Sequence, residues 1–159
     1  METNQSVPGN PGAVQLSERV FWLVAAAIVG FAACLRFWGL DFGLPHPITR
    51  PDELPLLQQT ALPAMGEFDL NWAVYPPAYV YLCWIWGEVG LMLAQLLGVG
   101  PIGDYRTLLA ENPVSLYLIV RSLSAVSGIA AVLALMIIAR RSFGNVAALV
   151  AGLLLATSF

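Results

Sequence analysis

Twice this chain runs apolar for the width of a bilayer: from Val20 to about Leu40, uncharged until Arg36, and from Val114 to Ala139, broken only by Arg121 near its start. A membrane-crossing helix needs about 20 consecutive apolar residues, so each run is long enough to span. The composition agrees, with 58% hydrophobic and 11% charged residues against roughly 45–50% and about 25% in soluble domains. An all-α integral membrane protein is the expected class. The formal charge is −3 and every basic side chain is arginine. Basic patches interleaved with aromatics are missing, which argues against nucleic-acid binding.

Residues 1–19 are rich in Pro, Gly, Asn and Ser at their start and read as a disordered cytoplasmic tail. Residues 20–40 form the first predicted transmembrane helix and 114–139 the second. Arg140 and Arg141 open a basic turn over 140–146, and 147–159 begins a third apolar helix. That last run has 13 residues, short of the roughly 20 needed to cross, so the chain reads as a fragment of a longer protein. Cys34 and Cys83 have neither metal-ligand nor disulfide spacing and are expected to be small buried hydrophobes.

Between the two spans, residues 41–113 carry most of the acids, with predicted helices at about 52–66 and 75–98. The second of these is long enough to span. Tyr81, Trp84, Glu88 and Gln95 nevertheless fall at spacings of three, four and seven, on one helical face. Tyr79, Tyr81, Trp84 and Trp86 are residue types that gather at headgroup level. Basic residues favour the cytoplasm, and an even number of crossings places both Arg19 and the Arg140–Arg141 pair there. The expectation is a helix lying along the outer surface, with 41–113 as an extracytoplasmic loop.

In that loop, "ITRPDELPLLQQT" sets Asp52 beside Glu53 in a chain that otherwise avoids charge. Asp is a preferred helix N-cap, and Glu53 would then complement the dipole in the first turn. Leu54, Leu57, Ala61 and Leu62 would form the apolar face, with Pro63 bending or ending the helix. The functional alternative is a carboxylate that takes a proton from a hydroxylated acceptor. The two differ in strength, because a carboxylate held by amide hydrogens is a poorer base. His46, between prolines, reads as a surface residue or as a ligand or base. Tyr75-Pro76-Pro77 reads as a helix start. Arg121 either snorkels outward or approaches a lipid phosphate. Arg140 and Arg141 read as topology determinants that contact anionic membrane lipids.

"RFWGLDFGLP", then "RPDE", then "GEFDLNWAVYPPAYVYL", then "RSLSAVSGIAAVLALMIIARRSFGNVAALVAGLLLATSF" together resemble the GT-C fold glycosyltransferases that use polyprenyl-phosphate sugars. The nearest group is the protein O-mannosyltransferases and aminoarabinose transferases. The resemblance implies the N-terminal transmembrane helices of a GT-C fold, with juxtamembrane helices in the first extracytoplasmic loop. It implies a multi-pass protein of the bacterial inner (plasma) membrane that transfers a sugar from a polyprenyl-phosphate donor to a hydroxyl of a protein, lipid or glycan, with inversion. Asp52 would be the general base and Glu53 its orienting or acceptor-binding partner. Arg50, Tyr75 and His46 are the candidate substrate-binding residues. Arg50 stands where relatives often have His. No metal site is expected from the spacing of ligands, and the need for a divalent ion stays open. Donor-binding residues would follow Phe159, so this piece would be inactive alone.

The chemistry is self-consistent. A lipid phosphate leaves without a general acid, and one carboxylate on the opposite face suffices to activate a hydroxyl. The competing reading is a non-catalytic small membrane scaffold or accessory subunit whose acids only cap and solvate. A transporter fragment is disfavoured, because the acids cluster in a surface loop rather than at mid-bilayer.

Overall fold

The computed structural model describes residues 17–46, 50–70, 75–99 and 103–158. Among these residues the chain is all helical, with α1 Glu18–Phe37, α2 Glu53–Ala64, α3 Pro77–Leu96, α4 Tyr105–Glu111, α5 Pro113–Phe143 and α6 Asn145–Thr157. Three helices, α1, α3 and α5, are long and apolar enough to cross a membrane. Their mean hydropathies are 2.2, 1.2 and 2.3, so α3 is the least apolar of the three.

The chain divides into two compact units, one made of Met1–Ala32 with Ala130–Phe159 and the other of Ala33–Ile129. In the first, α1 buries Phe21, Ala25, Ile28 and Ala32, spaced by four, three and four residues. Val132, Met136 and Ala139 of α5 and Ala148 and Ala156 of α6 complete that core. On α6 the stripe Ala148, Gly152, Ala156 recurs every four residues, a pattern that lets helices pack closely in lipid. A Cβ at Gly152 would lie 2.5 Å from the Met136 side chain. At the end of this unit, Arg140 pairs with Glu18 at 2.5 Å and stacks over the Phe21 ring at 4.2 Å. The expected basic turn is therefore shorter than its sequence suggests. Arg140 and Arg141 belong to the last turn of α5, and the reversal is made at Gly144 with φ +90°, a conformation that glycine adopts freely.

In the second unit α2, α3, α4 and the first turns of α5 share one core. Leu56, Leu57 and Ala61 meet Val80, Cys83 and Leu91, with Tyr105, Leu108, Leu116 and Val120 closing it. Pro76 and Pro77 stand at the N-cap and first position of α3, where a missing N–H is harmless. Pro63 sits one residue before the end of α2. Arg106 of α4 donates from Nε and Nη2 to the carbonyl oxygen of Ala64, at 3.2 and 3.0 Å, and satisfies the end of α2.

Several expectations need correcting. The face of α2 buries Leu56 rather than Leu54, which is exposed, and Leu62 is only half-buried. Cys83 is buried but Cys34 is exposed. The short helix α4 was not expected from the sequence. Asp104 starts it by accepting a hydrogen bond from the Thr107 amide at 2.8 Å. The Thr107 hydroxyl and amide hold the Asp104 carboxyl below the usual carboxylate range.

Candidate functional site

The N-terminus of α2 is built by a conflict between two prolines and a pair of acids. With Asp52 at the N-cap, the third helical position is Pro55, which has no N–H to offer a capping side chain. Asp52 accordingly adopts helical angles, φ −74° and ψ −24°, instead of the extended ones of a capping residue, and its carboxylate makes no cap hydrogen bond. The residue is exposed. Its backbone oxygen is fixed instead, by a 2.6 Å hydrogen bond from the Tyr75 hydroxyl.

Glu53 is in the opposite situation. Arg121 of α5 donates to its Oε2 from Nε at 3.0 Å and from Nη2 at 2.6 Å. Arg50 donates to Oε1 at 3.1 Å. Arg121 is itself pinned, with Nη1 donating to the carbonyl oxygens of Leu40 and Phe42 at 2.5 and 3.0 Å. Both oxygens of Glu53 are thus taken by guanidinium donors. Among the described residues Asp52 forms no ion pair.

A cavity of about 200 Å³ opens beside this cluster. Asp52 and Leu56 bound it on α2, Tyr75 and Tyr79 at and just inside the start of α3, and Tyr117 and Arg121 on α5. The Tyr79 hydroxyl lies 3.4 Å from Ser124 Oγ, which also lines the cavity. Such a volume falls below the about 300–1,000 Å³ of drug-sized ligand sites. It suits one hydroxyl-bearing group or a single ring, not an extended glycan.

Of the five residues predicted for the site, Asp52, Glu53 and Tyr75 border the cavity. The Tyr75 hydroxyl is committed to the Asp52 carbonyl oxygen. Arg50 does not border it. The Arg50 side chain grips Glu53 from outside and lies 5.9 Å over the Phe42 ring. His46 is exposed in the turn after α1, away from the cavity. No group of three or more His, Cys, Asp or Glu that could hold a metal occurs among the described residues.

Sequence reasoning missed Tyr79, Tyr117, Arg121 and Ser124. Arg121 does not stand free. It is the cation that binds the acidic motif. Tyr117, Val120, Arg121 and Ser124 fall at spacings of three, four and seven, one face of α5. An arginine within a predicted span calls for a named acidic partner, and that was the signal available.

Comparison of the chain with family models, with curated proteins and with solved structures gives no match.

Proposed function

We propose that this chain is the N-terminal part of a membrane glycosyltransferase with a GT-C fold. It transfers a sugar from a polyprenyl-phosphate donor to an acceptor hydroxyl at the extracytoplasmic face, in a bacterial inner membrane. The observation that carries the reading is the division of labour in the acidic pair. Glu53 is held by two arginines, whereas the Asp52 carboxylate is uncapped and its residue borders a small cavity.

A hydroxyl is a weak nucleophile, and a positioned carboxylate raises its reactivity by taking its proton as the new bond forms. Asp52 is the general base. Glu53 is a positioning residue, since Arg121 and Arg50 occupy its oxygens and set the angle at which α2 presents Asp52. Tyr75 fixes the Asp52 backbone. The departing lipid phosphate is stable as an anion and needs no proton from this half of the site. Protein, lipid and glycan acceptors all supply such a hydroxyl.

Two features support a location at the outer surface. α5 has 31 residues, about 46 Å at about 1.5 Å each, and outruns the roughly 30 Å hydrocarbon core. The polar stripe of α3 is also engaged locally. Tyr81 donates to the Phe68 carbonyl, Trp84 to Glu88 at 3.2 Å, and Gln95 to the Gly103 carbonyl at 2.8 Å. That arrangement favours α3 resting along the surface, although its length alone would permit a crossing.

The test is transfer from polyprenyl-phosphate mannose, glucose and aminoarabinose by membranes carrying the full-length protein. Asp52→Asn is expected to lower transfer by about 10²–10⁴-fold. Transfer at the parental rate would remove Asp52 as the base.

A further inference from the structure

Tyr79 of α3 and Ser124 of α5 both line the Asp52 cavity, and their hydroxyl oxygens stand 3.4 Å apart. Hydroxyl groups in a full hydrogen bond close to about 2.7–2.8 Å, so this one is stretched and weak. A serine inside a helix commonly donates back to a carbonyl of the preceding turn. Ser122 does so, to Ile119 at 2.6 Å. Ser124 is exposed, and its hydroxyl has the Tyr79 contact and no such bond among the described residues. The buried Cys83 thiol also approaches the Tyr79 hydroxyl, and a thiol is a weak partner. Two hydroxyls from separate helices thus meet in the wall of one cavity with hydrogen-bonding capacity unspent. At this separation a single oxygen of a third molecule can bond both.

We propose that the acceptor of the transfer is a sugar ring, held by one hydroxyl at Asp52 and by a second at the Tyr79–Ser124 pair. Ser124 lies three residues beyond Arg121, and Arg121 holds Glu53, the neighbour of Asp52. The two polar ends of the cavity are therefore roughly one helical turn apart, a span that hydroxyls on non-adjacent carbons of one sugar ring can cover. Leu56, Leu57 and Val120 also line the cavity and offer apolar surface to the ring's C–H groups. A serine or threonine side chain, or a simple lipid alcohol, brings one hydroxyl and leaves the pair unserved. Tyr79 and Ser124 are thus specificity-determining residues that choose a glycan among the possible acceptors. This rests on the glycosyltransferase reading for its use in catalysis, but the binding itself requires no donor and no turnover.

The test uses the full-length protein in lipid nanodiscs and saturation-transfer NMR. The probes are the methyl α-glycosides of glucose, mannose and galactose, with N-acetylserine methylamide and cyclohexanol as single-hydroxyl controls. At least one glycoside should bind saturably and about tenfold or more tighter than either control. Tyr79→Phe and Ser124→Ala should each weaken that glycoside about tenfold, and Ser124→Thr, which keeps the hydroxyl, should bind it like the parent. The ligand-free variants should unfold at the parental temperature, because the bond removed is weak. Should Tyr79→Phe fail to fold, Ser124→Ala and the two controls decide. The proposal is overturned if either control matches the best glycoside, if no glycoside saturates, or if Ser124→Ala leaves glycoside binding unchanged. Saturable glycoside binding with full transfer by Asp52→Asn would keep this site and remove Asp52 as the base. Transfer lost in Asp52→Asn with no glycoside bound would keep the enzyme and reject a sugar acceptor.

Discussion

Arg121 places two donors on a single oxygen of Glu53, at 3.0 and 2.6 Å, while its third nitrogen holds the carbonyls of Leu40 and Phe42. The side chains are 9% and 20% exposed. A pair this sheltered gains little over a well-packed apolar replacement, but removing one partner strands the other charge. Arg121→Leu is therefore expected to cost about 3–5 kcal/mol. Combining it with Glu53→Leu should recover part of that loss. Lysine lacks the guanidinium fork, so Arg121→Lys should fall between Arg121→Leu and the parent. Thermal unfolding in nanodiscs measures all three. Equal stability of the single and double variants would mean that the charges do not sense each other.

The Tyr105 ring roofs the packing of α2 on α3. Its hydroxyl lies 2.5 Å from Thr60 Oγ1, and Thr60 already donates its only proton to the Leu57 carbonyl at 2.7 Å. Tyr105 is thus the donor. A Cβ at Gly87 would come within 2.7 Å of the Tyr105 ring, which the Thr60 bond prevents from swinging away. Gly87→Ala should destabilise by about 1–3 kcal/mol through overpacking. Tyr105→Phe should partly rescue it, because the freed ring can shift. An additive double variant would refute the locked-ring explanation.

Burial raises the Tyr105 phenol to about 12 from 10.0. The neutral form is the one the fold prefers, so its contribution is complete below pH 10 and disappears as pH rises through about 12. The linked free energy is about 2–3 kcal/mol. Alkaline unfolding should steepen over that interval in the parent and flatten in Tyr105→Phe. Phenolate absorbance recorded alongside circular dichroism checks both, and an identical alkaline slope in the two proteins would count against it.

Asp104 works in the opposite direction at acid pH. Its carboxyl is lowered by the Thr107 hydroxyl first and the Thr107 amide second. Its contribution is present above the ordinary carboxylate range and fades as pH falls through the lowered value. Asp104→Ala should therefore speed exchange of the amide hydrogens of α4's first turn at neutral pH and leave α2 protected. Unchanged exchange at Thr107 would show that the cap is not holding the helix.

Much of the architecture is legible in the residues. The apolar runs gave α1 and α5, and the Tyr-Pro-Pro step gave the start of α3, because each is a local constraint with one physical solution. The fate of Asp52 was also written locally: Pro55 removes the amide that a capping carboxylate would seek. What local pattern could not give was the partner of Arg121, since 68 residues separate it from Glu53. The Tyr117 hydroxyl was hidden for a related reason. A tyrosine on an apolar helix face is ordinarily core, and nothing near it in the sequence marks an oxygen without a partner among the described residues. α4 was missed because seven residues are too few to display a helical period, although Asp104 and Thr107 carried a capping signal.

The surface placement of α3 has a direct consequence for which side of the membrane each loop faces. If α3 lies along the outer interface, one crossing by α5 separates the segment after α2 from the end of α5. Asp69 and Ser142 are both exposed, so cysteines there would be open to reagent, with Cys34 and Cys83 replaced by alanine. An impermeant maleimide applied to sealed spheroplasts should then label Asp69→Cys and spare Ser142→Cys until the membrane is opened. Labelling of both from one side would mean that α3 crosses. The Asp52 cavity includes Tyr75 just before α3 and Tyr79 in its first turn. Tyr117, Arg121 and Ser124 complete it from the start of α5, beyond α3, so a crossing α3 would set that wall on the far side from Asp52 and break up the cavity. The route of everything downstream of Phe143 also changes. A crossing α3 would turn α6 back toward the opposite leaflet.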